Sequence, residues 1–243
     1  MVTRSRPLVV IPTYNEADSI LLILRKLYHL SVDVLVVDDN SPDGTAEIVK
    51  SYSQSNGGVS LLLRTKKSGL GSAYREGFLK SRLDAYPWVI QMDADGSHQV
   101  SDLERMLNFL NRHPEVDLLI GSRWIENGQT VGWSKKRLVL SRMANLIAKV
   151  SLHSSVKDLT AGFKVLSSDA VDFLLDQNIE TKGYGFQIES TILLERADYN
   201  ILEIPITFIE RAAGRSKMHG TIILEAILLL LKLGLGRRHF SNI

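Results

Sequence analysis

Apolar residues follow two rhythms along the first half of the chain. Residues 8–11 form a short apolar run that stops at Pro12, and residues 32–37 repeat the pattern before Asp38 and Asp39. Runs of this length predict strands buried in a parallel sheet. Between them, over 16–30, Ile20, Leu21, Ile23, Leu24, Leu27 and Leu30 recur at helical spacing, which makes a strand, helix, strand unit. A capped helix start over 43–51, a strand over 59–63, a helix over 72–81 entered through Gly69-Leu70-Gly71, and a strand over 88–92 continue the alternation. Beyond it the pattern predicts a helix over 101–112, a strand over 117–121 and a polar loop to Ser134. Helices over 136–152 and 167–176 and a late strand over 201–209 complete it. Such alternation predicts an α/β fold, a Rossmann-like single domain with a mostly parallel central sheet and ligands bound beyond the carboxyl ends of the strands. The polar segments 12–16, 38–44 and 93–98 each follow a strand directly, so three distant stretches converge on one crevice.

Charge and composition narrow the function. The 243 residues carry 29 Lys+Arg against 27 Asp+Glu, a net charge of +2 that supplies no global field for nucleic acid, and no nucleic-acid partner is expected. The absence of cysteine removes disulfides, thiolate catalysis and Cys-ligated zinc, and it fits a reducing, cytoplasmic compartment. The apolar run before Pro12 is too short for the core of a signal peptide. The apolar stretch 222–235 carries Glu225 and Lys232 and runs out at Gly236, short of the ~20 residues a bilayer span needs. With Arg211, Arg215, Lys217, Arg237 and Arg238 on its flanks, it suits a membrane interface as well as packing on a core.

The chemistry gathers at the strand ends. Asp93-Ala94-Asp95 closes a buried strand, and hard oxygen ligands one residue apart suit Mg²⁺ or Mn²⁺, with Ser97 and His98 beside them. In the second cluster Asp39 is the expected ligand to a base or ribose, and Asp43 the expected helix cap. Tyr14 offers a ring to stack on a base, and Glu16 an acceptor. Gly69-Leu70-Gly71 reads as a helix-entry turn, since the strict phosphate-loop pattern is absent. Arg123 is placed to meet a phosphate in bidentate fashion, Arg137 and Ser141 share one helix face on which to hold a second phosphate, and the run from Arg211 to Lys217 suits a diphosphate.

The motifs Pro12-Thr-Tyr-Asn-Glu16, Val37-Asp-Asp39, Gly69-Leu-Gly71, Met92-Asp-Ala-Asp-Gly-Ser-His98, Gly121-Ser-Arg123, Asp158-Leu-Thr-Ala-Gly-Phe-Lys164, Gln187-x-Glu189 and Arg211-x-x-Gly-x-Ser-Lys217 stand in one order over nearly the whole chain. Together they resemble the polyprenol (dolichol) phosphate mannose synthases, inverting family 2 glycosyltransferases of the GT-A fold, in a form similar to bacterial members. The resemblance implies a catalytic domain over 1–220 and a C-terminal amphipathic helix, a membrane-associating segment, over 221–243. It also implies transfer of mannose from GDP-mannose to a polyprenyl phosphate, giving the β-linked product for lipid-linked glycan synthesis or protein mannosylation. It places Pro12, Tyr14, Glu16, Val37, Asp39, Asp93, Ala94, Asp95, Arg123, Arg211 and Lys217 at the donor, and Arg137 and Ser141 at the acceptor phosphate. Asp93, Asp95 and Ser97 fall at the metal, with Asp93, Asp95, Arg123, Arg211 and Lys217 as the catalytic set. It further implies a peripheral enzyme on the cytoplasmic face of a membrane, with an integral membrane protein as a potential partner. Two other readings stay open on the residues alone: UDP-glucose as donor, and a non-catalytic nucleotide-binding module that recruits a membrane partner.

Overall fold

The computed structural model describes residues 6–179, 181, 183 and 185–210. Its elements run β1 (Leu8–Thr13), α1 (Ala17–Leu27), β2 (Asp33–Asp38), α2 (Thr45–Ser55), β3 (Val59–Leu63), α3 (Leu70–Leu83), β4 (Trp88–Gln91), α4 (Val100–Leu110), β5 (Leu118–Ser122), β6 (Gln129–Val131), α5 (Lys135–Leu152), β7 (Lys164–Ser167), α6 (Ser168–Asp176), α7 (Gly185–Arg196), β8 (Ile201–Pro205) and β9 (Thr207–Ile209). Seven strands form one sheet in the order β3-β2-β1-β4-β7-β5-β8, and β7 alone runs antiparallel, to both β4 and β5. The sheet is therefore mostly parallel, as its alternating pattern predicts.

Two apolar layers bury the sheet. On one face Val9, Ile11, Val34, Val36 and Ile90 pack with Ile20, Ile23, Leu24 and Leu27 of α1, Val49 of α2 and Leu103 and Met106 of α4. On the other, Val10, Leu35, Val37 and Val89 meet Tyr74 and Phe78 of α3, Val171 and Leu174 of α6 and Phe186, Ile188 and Ile192 of α7. The alternation of faces along β1 and β2 follows from the pleat.

Pro12 lies inside β1 rather than ending it. A residue in a parallel strand turns its N–H and C=O to the same neighbour. Val10 O accepts from Met92 N on the β4 side, so Pro12 faces that side too, where the β1–β4 register stops at Val10↔Gln91. No ladder bond is lost, and β2 continues to pair on the other side up to Thr13↔Asp38.

Three expectations change. The polar loop to Ser134 contains β6, and the late strand over 201–209 is two strands meeting at Ile206. Ile206 hands the chain from one sheet to the other, its N–H bonding Ser122 O at the end of β5 and its C=O accepting from Gln129 N, and β9 then pairs in parallel with β6 as a separate two-stranded sheet. In addition, β7 and α7 occupy stretches to which periodicity assigned no element. The apolar run of β7 is too short to register, and nine buried positions in α7, Phe186 to Ile192 among them, erase its amphipathic signal.

Gly71 explains the entry to α3. A Cβ there would stand 2.7 Å from Thr181 O and 3.0 Å from Phe186 Cβ, so the glycine lets α3 close on α7, while Gly69 supplies the positive φ of the turn (95°).

Candidate active site

The segments after β1, β2 and β4 meet at the carboxyl ends of the strands. Asp38, the fully buried last residue of β2, pins the first two. It accepts from Thr13 Oγ1 at 2.7 Å, from Ser41 N at 2.8 Å and from Ser41 Oγ at 2.6 Å, and Ser41 Oγ in turn accepts from Asn15 N at 3.0 Å. Asp43 accepts from Thr45 N and Oγ1 through one oxygen and from Ala17 N through the other, at 3.0 Å, so it ties the starts of α1 and α2 together. Burial pushes its carboxyl upward, but these hydrogen bonds prevail and hold it below the usual carboxylate range.

Asp39 is buried beside this peg. Its Oδ1 lies 2.9 Å from Arg64 Nη1, in contact as an ion pair but not aligned as a hydrogen bond, and its Oδ2 accepts from Ser68 N at 3.3 Å. Burial raises its carboxyl above the usual range, with Arg64 pulling the other way. Arg64 is also held by Glu76 (3.1 Å) and donates to Ser72 Oγ (2.6 Å). Lys67 Nζ sits 3.9 Å over the ring of Tyr14. Glu16 takes the N-cap position of α1 and accepts from Ser19 Oγ at 3.1 Å. Val37 is fully buried against the α3 side of the core, so its side chain presents nothing to a nucleotide and only its main chain lies near the crevice. Ala94 is likewise buried.

The third segment is ordered from within. Ser97 N donates to Asp95 Oδ1 at 3.0 Å, and Asp93 N donates to His98 Nδ1 at 3.1 Å. His98 stacks on Phe163 with ring centroids 4.6 Å apart, and burial lowers its pKa to about 4, with Asp95 opposing and Arg123 reinforcing the shift. It is therefore a neutral wedge with Nδ1 committed to Asp93 N, while its Nε2 lies 3.9 Å from Asp93 Oδ2. The carboxylates of Asp93 and Asp95 are both partly exposed at the mouth. A Cβ on Gly162 would stand 3.7 Å from Gln187 Nε2, 3.8 Å from His98 Cε1 and 4.0 Å from Asp93 Oδ2, so these three side chains meet above one glycine. Both polar side-chain atoms of Gln187 are buried without a hydrogen-bond partner among the described residues, a pattern answered by an ordered water or a polar ligand.

Arg123 departs from the simple expectation. Its Nε and Nη2 both donate to Asp158 at 2.8 Å, its backbone N donates to the same carboxylate at 3.0 Å, and Nη2 also reaches Thr160 Oγ1. The bidentate edge reserved for a phosphate is thus turned onto Asp158, leaving Nη1 as the one guanidinium nitrogen outside that pair. Trp124, Trp133 and Phe208 surround the group at 5.1–5.7 Å. Arg137, in the first turn of α5, donates to Glu210 Oε1 at 2.7 Å and lies 4.2 Å over the Trp133 ring; Ser141 is one turn further on and half-buried. Arg211, Lys217 and the stretch 222–235 lie outside the described residues.

Asp158, Lys164 and Gln187 enter the sequence reading only as members of motifs, without roles. Lys164 is fully buried on β7 and donates to Gln187 O (2.7 Å) and Thr191 Oγ1 (2.8 Å); burial lowers its pKa to about 7, against the pull of Asp158. A charged residue in a buried strand directly after Gly162-Phe163 was the available signal. A cavity of about 580 Å³ lined by Leu27, His29, Asp33 and Gly58 lies at the opposite, amino ends of the strands, away from all these groups.

Comparison with known proteins accords with this geometry. The family model described as "Glycosyl transferase family 2" matches residues 8–175. Among curated proteins, the "Undecaprenyl-phosphate mannosyltransferase" of Micrococcus luteus is 40% identical over 235 residues, 96% of each chain. The "Polyprenol monophosphomannose synthase" of Mycolicibacterium smegmatis is 38% identical over 96% of this chain and 88% of its own. Among solved structures, glucosyl-3-phosphoglycerate synthase from Mycobacterium tuberculosis, with Mn²⁺, UDP and its product, superposes with a TM-score of 0.68 at 18% identity, over 94% of this chain and 79% of the other. A mannosyltransferase from Pyrobaculum calidifontis, in complex with GDP-mannose and Mn²⁺, does so with a TM-score of 0.60 at 17% identity, over 100% and 66%. These two likenesses establish the GT-A fold. With more than half its length inside the family model and such relatives along nearly its whole length, the chain belongs to glycosyl transferase family 2.

Proposed function

We propose that this enzyme transfers mannose from GDP-mannose to a polyprenyl phosphate with inversion, forming polyprenyl phosphate β-mannose. The observation that carries the reading is the 40% identity to a named undecaprenyl-phosphate mannosyltransferase along 96% of both chains. The fold likeness to a mannosyltransferase solved with GDP-mannose and Mn²⁺ supports the donor.

In this reading Tyr14, Glu16 and Asp39, with the main chain at Pro12 and Val37, form the guanosine end of the crevice. Asp93, Ala94 and Asp95 follow toward the diphosphate, to which Arg211 and Lys217 are also assigned. Asp93 and Asp95 fit a divalent cation, Mg²⁺ or Mn²⁺, because one or two carboxylates at a strand mouth match a shell otherwise filled by water and phosphate oxygens; Ser97 is the candidate third ligand. Bound there, the cation would supply Lewis-acid stabilisation to the charge developing on GDP. Arg123 Nη1, Arg211 and Lys217 add fixed positive charge to the same end.

The acceptor phosphate, with a second pKa of about 6, is largely ionised at neutral pH and needs positioning more than deprotonation. Arg137 is the positioning cation, with Ser141 beside it, and taking the phosphate means exchanging Glu210 for it. Attack of a phosphate oxygen in line on the anomeric carbon breaks the bond from that carbon to the GDP oxygen, releases GDP and gives the β product, and Asp93 or Asp95 accepts any residual proton. The enzyme works as a peripheral protein on the cytoplasmic face of the membrane, with the segment 221–243 and potentially an integral membrane protein as contacts. No helix among the described residues is long and apolar enough to cross a membrane.

The test is transfer of radiolabelled sugar into an organic-extractable polyprenyl phosphate, from GDP-mannose and in parallel from UDP-glucose, with and without Mg²⁺. Label from GDP-mannose alone, lost by about 100-fold or more in Asp95→Ala, is expected. Label from UDP-glucose alone, or an α-configured product, refutes the donor or the inversion.

A further inference from the structure

Trp124 and Trp133, in the stretch that joins β5 to α5, carry no role so far. Their rings meet edge to face, with centroids 6.4 Å apart and planes 69° apart. Cations surround both: Arg123 and Arg142 each lie 5.1 Å from the Trp124 ring, and Arg137 and Arg123 lie 4.2 and 5.7 Å from the Trp133 ring. Attraction between guanidinium and ring face fixes the plane of each indole, and with it the direction of its N–H.

Those N–H groups have nowhere to go. Trp124 Nε1, Trp133 Nε1 and Arg137 Nε are all buried without a hydrogen-bond partner among the described residues. An indole or guanidinium nitrogen can only donate, and a buried donor left unpaired is costly. Three such donors in one cluster of rings and cations require acceptors, and the cations require negative charge. The chain itself brings one anion there, since Glu210 Oε1 accepts from Arg137 Nη1 at 2.7 Å, and three donors still remain unserved. A phosphate monoester carries three terminal oxygens and up to two negative charges, and so answers donors that one carboxylate cannot.

We propose that the indole N–H groups of Trp124 and Trp133 donate directly to the oxygens of the acceptor phosphate, beside Arg137. The two tryptophans are thus phosphate-binding residues rather than packing for the loop. Their place suits the reaction: Trp133 stands edge-on to Phe208 at 5.4 Å, Phe208 edge-on to His98 at 5.5 Å, and His98 Nδ1 accepts from Asp93 N. Fixed N–H groups read phosphate oxygens by direction, where a flexible ammonium would read only charge. This deepens the function proposed above and rests on it for the identity of the acceptor.

The chain has three tryptophans, and Trp88, at the far end of β4, is a built-in control. Indole N–H signals of the ¹⁵N-labelled protein are assigned by single Trp→Phe variants and followed while a water-soluble short-chain prenyl phosphate is added without donor. Trp124 and Trp133 are expected to shift downfield, and Trp88 to stay in place. The matching neutral prenol is expected to move none of them. Inorganic phosphate should give the same two shifts at higher concentration. Benzothienylalanine at 124 or 133 keeps the bicyclic ring and exchanges N–H for sulfur. Each replacement is expected to weaken prenyl phosphate binding about tenfold or more, with unchanged thermal unfolding and an unchanged KM for GDP-mannose.

Indole signals that stay in place at saturating prenyl phosphate overturn the proposal and leave these donors to ordered water. Wild-type affinity in the benzothienylalanine variants overturns it in favour of packing. The same shifts with GDP alone overturn it in favour of the donor diphosphate, and shifts with inorganic phosphate but not with the prenyl ester in favour of a free-phosphate site. The titration uses no sugar donor, so indole shifts without transfer from GDP-mannose count against the proposed function and leave this assignment standing.

Discussion

Asp158→Ala removes a fully buried carboxylate that accepts three hydrogen bonds from Arg123, at 2.8–3.0 Å, and one from Thr160 Oγ1 at 3.1 Å. What remains is a guanidinium 8% exposed with Thr160 Oγ1 as its neutral acceptor and no counter-charge, and a main-chain N–H without its acceptor. Breaking one side of a buried pair costs about 3–5 kcal/mol, because the surviving charge stays out of water uncompensated. In a domain of this size that corresponds to a melting temperature lowered by roughly 6–20 °C. The paired variant Arg123→Met/Asp158→Leu removes both charges and is expected to lose less stability than Asp158→Ala alone. Urea unfolding of the wild type, both single variants and the double variant, followed by circular dichroism, gives the coupling energy directly. A change within about 0.5 kcal/mol for Asp158→Ala, or a double variant worse than the sum of the singles, would refute the argument.

Four further outcomes are expected. Lys164 has a folded pKa of about 7 against an ordinary 10.5, so between those values the unfolded chain holds a proton that the folded chain does not. Wild-type stability should therefore gain up to about 5 kcal/mol from this residue as pH rises through that window, a gain absent from Lys164→Met; parallel slopes in paired urea melts would reject it. Gly71→Ala sets a Cβ 2.7 Å from Thr181 O and should cost about 1–3 kcal/mol in unfolding free energy. Arg64→Met strips Asp39 of its buried partner, raising its carboxyl further, and should weaken the thermal shift produced by GDP; an undiminished shift would separate Asp39 from the donor. Arg137→Ala should raise KM for the prenyl phosphate several-fold while leaving KM for GDP-mannose near its wild-type value.

The outer helices and the parallel strands could be read from the chain because each buries a single face, or both faces of a short run, and burial of that kind leaves a local period. The convergence of 12–16, 38–44 and 93–98 followed from the same pattern, since parallel strands deliver their carboxyl ends to one side. The donor and acceptor classes came instead from the order of motifs, which no periodicity encodes.

What the chain determined by itself, then, was the α/β architecture and the set of chemical groups at its strand ends. Only the tertiary structure decided how those groups are spent. It reversed β7 between two parallel neighbours, split 201–209 at Ile206, and turned the bidentate edge of Arg123 onto Asp158, 35 positions away. It also gathered Arg123, Arg137 and Arg142 around the rings of Trp124 and Trp133. The physical reason is common to all four. Local spacing records that a face is apolar or that a group is charged, whereas its partner depends on which distant segments the sheet order brings together.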